Sequence, residues 1–162
     1  MGASAALLVA ACSNNPANTG PDLAATGAGN SGAVTTTSVV PGSQADFEQN
    51  AGNRVFFGYD QYTLSPQAQQ TLAAQADWLK RYADSRVMVS GNCDERGTRE
   101  YNLALGARRA ESARAYLVSL GVEGSRITTV SYGKERPVDS RSTEEAWSMN
   151  RNATTMLVNV GS

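Results

Sequence analysis

The chain has no histidine among its 162 residues. That absence removes the Ser-His-Asp and Cys-His catalytic arrangements and every metal site built on imidazole. Cysteine is nearly absent too, with only Cys12 and Cys93. Two thiols are too few for a zinc site made of cysteine alone. Their contexts argue against pairing, since Cys12 closes an apolar stretch near the start and Cys93 sits in a polar loop. Cys93 reads as a lone thiol and a small apolar filler. Charge of either sign is scarce in excess: the formal net charge is -1, so nothing suggests the basic face that nucleic acid requires. No cofactor is expected.

The apolar run Ala5-Ala6-Leu7-Leu8-Val9-Ala10-Ala11 is too short to cross a bilayer, which takes about 20 residues. It has the length of a signal-peptide apolar region. Residues 1–11 are therefore expected to be a lipoprotein signal peptide. Val9-Ala10-Ala11-Cys12 resembles the lipobox of bacterial lipoproteins, which implies cleavage before Cys12 and acylation of its sulfur. A secretory signal opens with Lys or Arg, and Met1 to Ser4 contain neither. A start downstream of the natural one is one reading of that gap. Ser13 follows the cysteine, and by resemblance to enterobacterial lipoproteins this favours the outer membrane. Several acyl chains on one cysteine hold firmly where a single chain binds only marginally.

Residues 12–45 comprise the lipidated cysteine and a disordered linker. Ser13 to Ala45 has no aromatic residue and a single charge, Asp22. Such a segment cannot bury enough apolar surface to offset its ordering entropy. As a flexible coil it spans about 30 Å root-mean-square and about 110 Å stretched, the reach of a tether.

From Asp46 to Ser162 the composition is that of a folded domain. Val55-Phe56-Phe57 reads as a strand. Ser65-Pro66 opens a helix, with Ser as the cap and Pro in the first turn. Ala68, Leu72, Ala76 and Leu79 make its buried stripe. Val87-Met88-Val89 reads as a strand buried on both faces. A second helix is predicted from Arg99 to Leu120, with Leu103, Ala107, Ala110, Ala113, Leu117 and Leu120 as its core stripe and Gly121 as its stop. Gly106 lies inside it, where glycine costs about 1 kcal/mol against alanine, so something is expected to approach that turn closely. Ile127 to Tyr132 is a third strand, Glu144 to Arg151 a short helix, and Thr154 to Val160 the last strand. The order predicts an α/β (α+β) sandwich: a small mixed sheet with two long helices on one face, plus a short helix.

The run Gly91-Asn92-Cys93-Asp94-Glu95-Arg96-Gly97-Thr98, followed by Arg99-Glu100-Tyr101-Asn102, places a carboxylate in a loop at a strand end. Arg109 lies on the helix that the loop opens, and is expected at the rim of the core. One charge of each sign suits a zwitterionic ligand. A carboxylate accepts from an ammonium, and a planar guanidinium takes a carboxylate in a two-point fork that Lys does not reproduce. The residues alone equally allow an Asp94–Arg109 ion pair that merely closes the loop.

This run resembles the OmpA-like domain, and within it the peptidoglycan-associated lipoproteins of Gram-negative bacteria. Phe56-Phe57-Gly58-Tyr59-Asp60, Val130-Ser131-Tyr132-Gly133-Lys134-Glu135-Arg136-Pro137 and Asn150-Arg151 extend the likeness over residues 46 to 160. Two positions depart from the pattern: Asn92 stands for the usual His before the loop, and Asn152 for the second Arg of the late motif. The resemblance implies that Asp94 and Arg109 hold the diaminopimelate side chain of peptidoglycan. Asp60, Arg96, Asn102, Leu105 and Arg151 are secondary ligand-binding candidates. Turn capping is the alternative for Asp60, a solvated charge for Arg96, and pairing with Glu144 or Glu145 for Arg151. The resemblance further implies a lipid anchor in the cell outer membrane, with the domain facing the periplasm. It implies the periplasmic β-propeller protein TolB of the Tol-Pal system as a partner, and a part in envelope integrity and cell division.

Two other functions compete. A cell-wall hydrolase using Asp94 and Glu95 would need carboxylates about 5 to 9 Å apart across a bond, and residues adjacent in sequence rarely achieve that. A porin or motor stator would carry a barrel or a membrane helix before the domain.

Overall fold

The computed structural model describes residues 39–158. The first helix, α1, is Gln44–Ala51. It begins inside the stretch assigned to the linker, so ordered structure starts before Asp46. The local chemistry explains it. The Ser43 hydroxyl accepts from the Asp46 amide at 3.2 Å, and the Asp46 carboxylate reaches back to the Gly42 amide at 3.0 Å. Such a reciprocal cap satisfies two donors that a helix start leaves open. Asp46 also accepts from the Trp78 indole at 2.9 Å. Phe47 is fully buried, edge-on to Trp78 with ring centroids 5.0 Å apart.

Strand β1 is Arg54–Phe56, helix α2 Pro66–Arg81, strand β2 Val87–Asn92 and helix α3 Arg99–Ser119. A 3-10 turn at Gly124–Arg126 leads into β3, Ile127–Gly133, followed by α4, Glu144–Asn150, and β4, Asn152–Leu157. The four strands pair in the order β1-β4-β2-β3. β4 runs antiparallel to both neighbours, and β2 and β3 are parallel. The sheet is mixed, as the sequence implies, and α2 and α3 pack on it around one core of Leu72, Leu79, Val87, Val89, Ala110 and Leu117.

The α2 stripe matches its sequence reading, with Ala68, Leu72, Ala76 and Leu79 all buried. The α3 stripe matches at Ala110, Ala113 and Leu117 and departs elsewhere. Ala107 is exposed and Leu103 and Leu120 are half-buried; the inward face is Asn102, Leu105, Gly106, Arg109, Ala110, Ala113 and Leu117. The helix is rotated so that its smallest residue meets the sheet. A side chain on Gly106 would press on the Gly91 carbonyl and on Ser131, and one on Gly91 would strike the Gly106 backbone. The pair of glycines lets α3 lie directly on β2, which is the close approach that Gly106 implied. The sequence reading missed Gly91 as the other half of it.

Candidate functional site

The close packing of α3 on β2 carries Arg109 to the end of β2. Arg109 is not at the rim of the core; it is 1% exposed, among the most buried side chains of the domain. Each of its guanidinium nitrogens donates to a backbone carbonyl. Nε donates to the Gln61 carbonyl at 2.8 Å, Nη1 to Asn92 at 2.8 Å and Nη2 to Gly58 at 3.1 Å. Arg109 therefore fastens the loop after β1 to the end of β2. A guanidinium has five donors, and three are used here, which leaves two. Burial pushes its pKa down, and an arginine guanidinium keeps its charge in proteins.

Asp94 is 4% exposed. Its partners are two other arginines. Arg96 meets it as a fork, Nε to Oδ1 at 3.2 Å and Nη2 to Oδ2 at 2.7 Å, and the Arg96 amide adds a third bond at 3.1 Å. Arg151 Nη1 donates to Oδ2 at 3.2 Å. Burial alone would raise the carboxyl's pKa, but the hydrogen bonds from Arg96 and Arg151 outweigh it and hold it below the usual value. No Asp94–Arg109 ion pair occurs among the described residues, so that simple structural reading does not describe the site.

Arg151 does pair with Glu144, at 3.0 Å, while its Nε holds the Phe57 carbonyl at 3.1 Å. The Phe57 amide in turn donates to the Arg151 carbonyl at 2.9 Å, which ties the end of β1 to the start of β4. Asn102 is buried and holds the loop from below, donating to the Arg96 and Thr98 carbonyls at 2.9 and 3.1 Å. Asp60 has a positive φ of 56° and bonds through Oδ1 to the Tyr101 hydroxyl, across the mouth.

Asp94, Arg109, Asp60, Arg96, Asn102 and Leu105 line one pocket of about 320 Å³. That volume is at the small end for a ligand site. Arg151 stands behind Asp94 and is not part of the lining. Sequence reasoning missed four lining residues, Tyr59, Cys93, Gly97 and Tyr101. Both tyrosines are exposed and lie beside the singled-out motifs, which was the available signal. Cys93 is a buried free thiol whose Sγ lies 3.3 Å from the Asn102 carbonyl, and burial raises its pKa. Glu95 points elsewhere: its carboxylate accepts from the Trp147 indole at 3.0 Å. Lys134 fixes the loop backbone by donating to the Glu95 and Gly97 carbonyls at 3.1 and 2.7 Å.

The two positions that depart from the family pattern touch one another. Asn92 Nδ2 donates to Asn152 Oδ1 at 2.9 Å, and both are buried. Asn152 also donates to the Met149 carbonyl at 2.8 Å and accepts from the Thr154 hydroxyl at 3.0 Å. Amide to amide, the pair joins β2 to β4 beside the site without adding charge.

Residues 56–151, from the end of β1 to the end of α4, match the OmpA family. The chain belongs to that family. Within it, the peptidoglycan-associated lipoprotein of Agrobacterium fabrum is 49% identical over 158 residues, covering 96% of this chain and 85% of the relative. That of Haemophilus influenzae is 41% identical over 152 residues, covering 94% and 90%. The crystal structure of the peptidoglycan-associated lipoprotein from Burkholderia pseudomallei superposes with a TM-score of 0.63 at 42% identity, over 65% of this chain and 89% of that one. The C-terminal domain of Helicobacter pylori MotB shares the fold, with a TM-score of 0.61 at 17% identity, over 65% of this chain and 83% of that domain. This OmpA-family chain is thus similar over nearly its whole length to peptidoglycan-associated lipoproteins. Cys12, the signal reading and the linker reading as far as residue 38 lie outside the described residues.

Proposed function

We propose that the chain is a lipoprotein that binds peptidoglycan non-covalently and tethers the outer membrane to the cell wall. The observation that carries this reading is one small pocket with a buried guanidinium on one side and two carboxylates on the other. The free end of diaminopimelate bears an ammonium and a carboxylate on one carbon. Its carboxylate would take the two remaining Arg109 donors. Its ammonium would sit between Asp94 and Asp60. Leu105 offers an apolar wall to the methylenes, and Arg96, Asn102 and Arg151 hold the loop in place. Similarity to proteins named for peptidoglycan association supports the assignment.

Lipid attachment at Cys12, an outer-membrane location with the domain in the periplasm, and TolB as a partner belong to the same proposal. The anchor and the location rest on the lipobox resemblance and on the relatives' names, and TolB rests on the family resemblance of the loop motif alone. Mass spectrometry of the mature N-terminus tests the anchor: an unmodified Cys12 would overturn it.

The function is binding and not catalysis. A glycosidase needs one carboxylic acid held protonated by a raised pKa. Asp94 is lowered, and Glu95 is lowered by its bonds to Ser142 and Trp147. Incubation with purified sacculi separates the readings. Co-sedimentation without release of soluble fragments is expected, and fragment release would establish hydrolysis.

A further inference from the structure

Arg96 lies over two aromatic rings. Its guanidinium carbon is 4.3 Å from the Tyr59 ring centroid and 4.1 Å from that of Trp147. The rings come from distant parts of the chain: Tyr59 follows β1, and Trp147 lies on α4. Trp147 is itself fixed, because its indole N–H donates to Glu95 Oε1 at 3.0 Å. A cation flanked by rings keeps its edge free for hydrogen bonds. Here the edge meets both oxygens of Asp94. The remaining terminal nitrogen, Nη1, lies 3.9 Å from Glu144 on the same helix as Trp147.

Arg96 is one of the longest and most rotatable side chains, and in an exposed loop it would sample many rotamers. Its side chain is about a third exposed, so burial alone does not hold it. The two rings do. We infer that Tyr59 and Trp147 are positioning residues for the ligand site: they hold the Arg96 guanidinium edge-on to Asp94 and so fix the orientation of that carboxylate at the pocket. Trp147 is not among the residues lining the pocket; it reaches the loop through Arg96 and through its bond to Glu95, which the phenylalanine variant removes while keeping a ring. α4 thereby reaches the site with two side chains, Trp147 over Arg96 and Glu144 beside Arg151 and Arg96. The binding consequence rests on the peptidoglycan reading; the geometric one does not.

The test uses the full chain with Trp147→Ala and Trp147→Phe, purified sacculi as the probe, and nitrogen-15 NMR of the Arg96 Nε–H. In the native protein that resonance should be slow to exchange. Trp147→Ala should lose it and weaken sacculus binding roughly tenfold, while Trp147→Phe, which keeps a ring, should retain the resonance and bind within about threefold of native. A protected resonance and native binding in the alanine variant would overturn the inference, as would equal loss of binding in both variants. Asp94→Asn is the control. If it binds sacculi as the native protein does, the peptidoglycan reading fails, and the resonance alone decides the positioning role: its survival in Trp147→Ala overturns it, its loss supports it.

Discussion

On the α3 side of the pocket, Arg109 is held by three neutral carbonyls; on the loop side, Asp94 is held by two arginines. Arg109 makes three hydrogen bonds and Asp94 four, to opposite effect. Carbonyl dipoles solvate a cation without cancelling its charge. Arginines cancel that of the carboxylate. A ligand carboxylate therefore meets an uncompensated positive group, whereas a ligand ammonium meets a carboxylate already shared. Asp60 completes the account, because among the described residues its side chain bonds to Tyr101 only. On the proposed reading, the pocket is pre-arranged for the anionic end of a zwitterion and would take the cationic end between two carboxylates.

The largest effect should come from the α3 wall. Arg109→Ala would orphan the buried Asn92 carbonyl and release those of Gly58 and Gln61, and is expected to cost about 2 to 3 kcal/mol of stability as well as binding, measured by denaturant melts. Arg109→Lys should recover little, since an ammonium cannot serve three carbonyls in the guanidinium plane. Retention of native stability by the alanine variant would mean that the carbonyls find other partners.

Asp94→Asn should separate binding from stability. Affinity for sacculi is expected to drop by about 2 to 3 kcal/mol, with a smaller change in stability than Arg109→Ala produces. The pH dependence follows from the same group. Because its pKa is lowered in the folded state, the stability it contributes is complete above the ordinary aspartate value of about 3.9 and is lost as pH falls through the lowered value. Binding should accordingly persist through mildly acidic pH, and a loss centred above pH 5 would contradict the arginine network.

Gly106→Ala should cost about 2 kcal/mol, because the added methyl meets the Ser131 hydroxyl on β3 and, behind it, the Gly91 carbonyl of the β2 backbone, which cannot swing aside. It should also weaken binding, since Arg109 rides on the same helix. At the small end, Tyr101→Phe removes one exposed hydrogen bond to Asp60 and should alter stability by about 0.5 kcal/mol or less. A larger loss of binding than of stability there would sharpen the role of Asp60.

The sheet, its two long helices and the residues that gather at the pocket were legible in the sequence, because strand runs, a Ser-Pro cap and a helical stripe report on local structure. The identity of each partner was not. Asp94 and Arg109 share a pocket as the motif implied, yet their bonds go to Arg96, Arg151 and three carbonyls contributed by the loop after β1 and the end of β2. Arg109 looked like a rim residue because a charged side chain is seldom inside; three carbonyls, invisible in a sequence, make its burial possible. Ala107 was placed in the core by helical spacing, whereas the Gly91–Gly106 contact sets the rotation of α3. The contact of Asn92 with Asn152 is likewise a matter of strand register. The short helix α1 did carry a sequence signal, Ser43 with Asp46 three residues on, inside a segment otherwise poor in charge.

That helix has a mechanical consequence. Tension applied from upstream of Val39 arrives first at α1, where it loads the Gly42–Asp46 and Trp78–Asp46 hydrogen bonds and the seat of Phe47 against Trp78. Only after α1 yields does the pull reach β1, at one edge of the sheet, paired to β4 alone. β2, which carries the pocket loop, lies two strands further in. The bonds of α1 thus stand between such a pull and β1, whose following loop carries the pocket residues Tyr59 and Asp60, so that α1 would give way before the pocket is loaded.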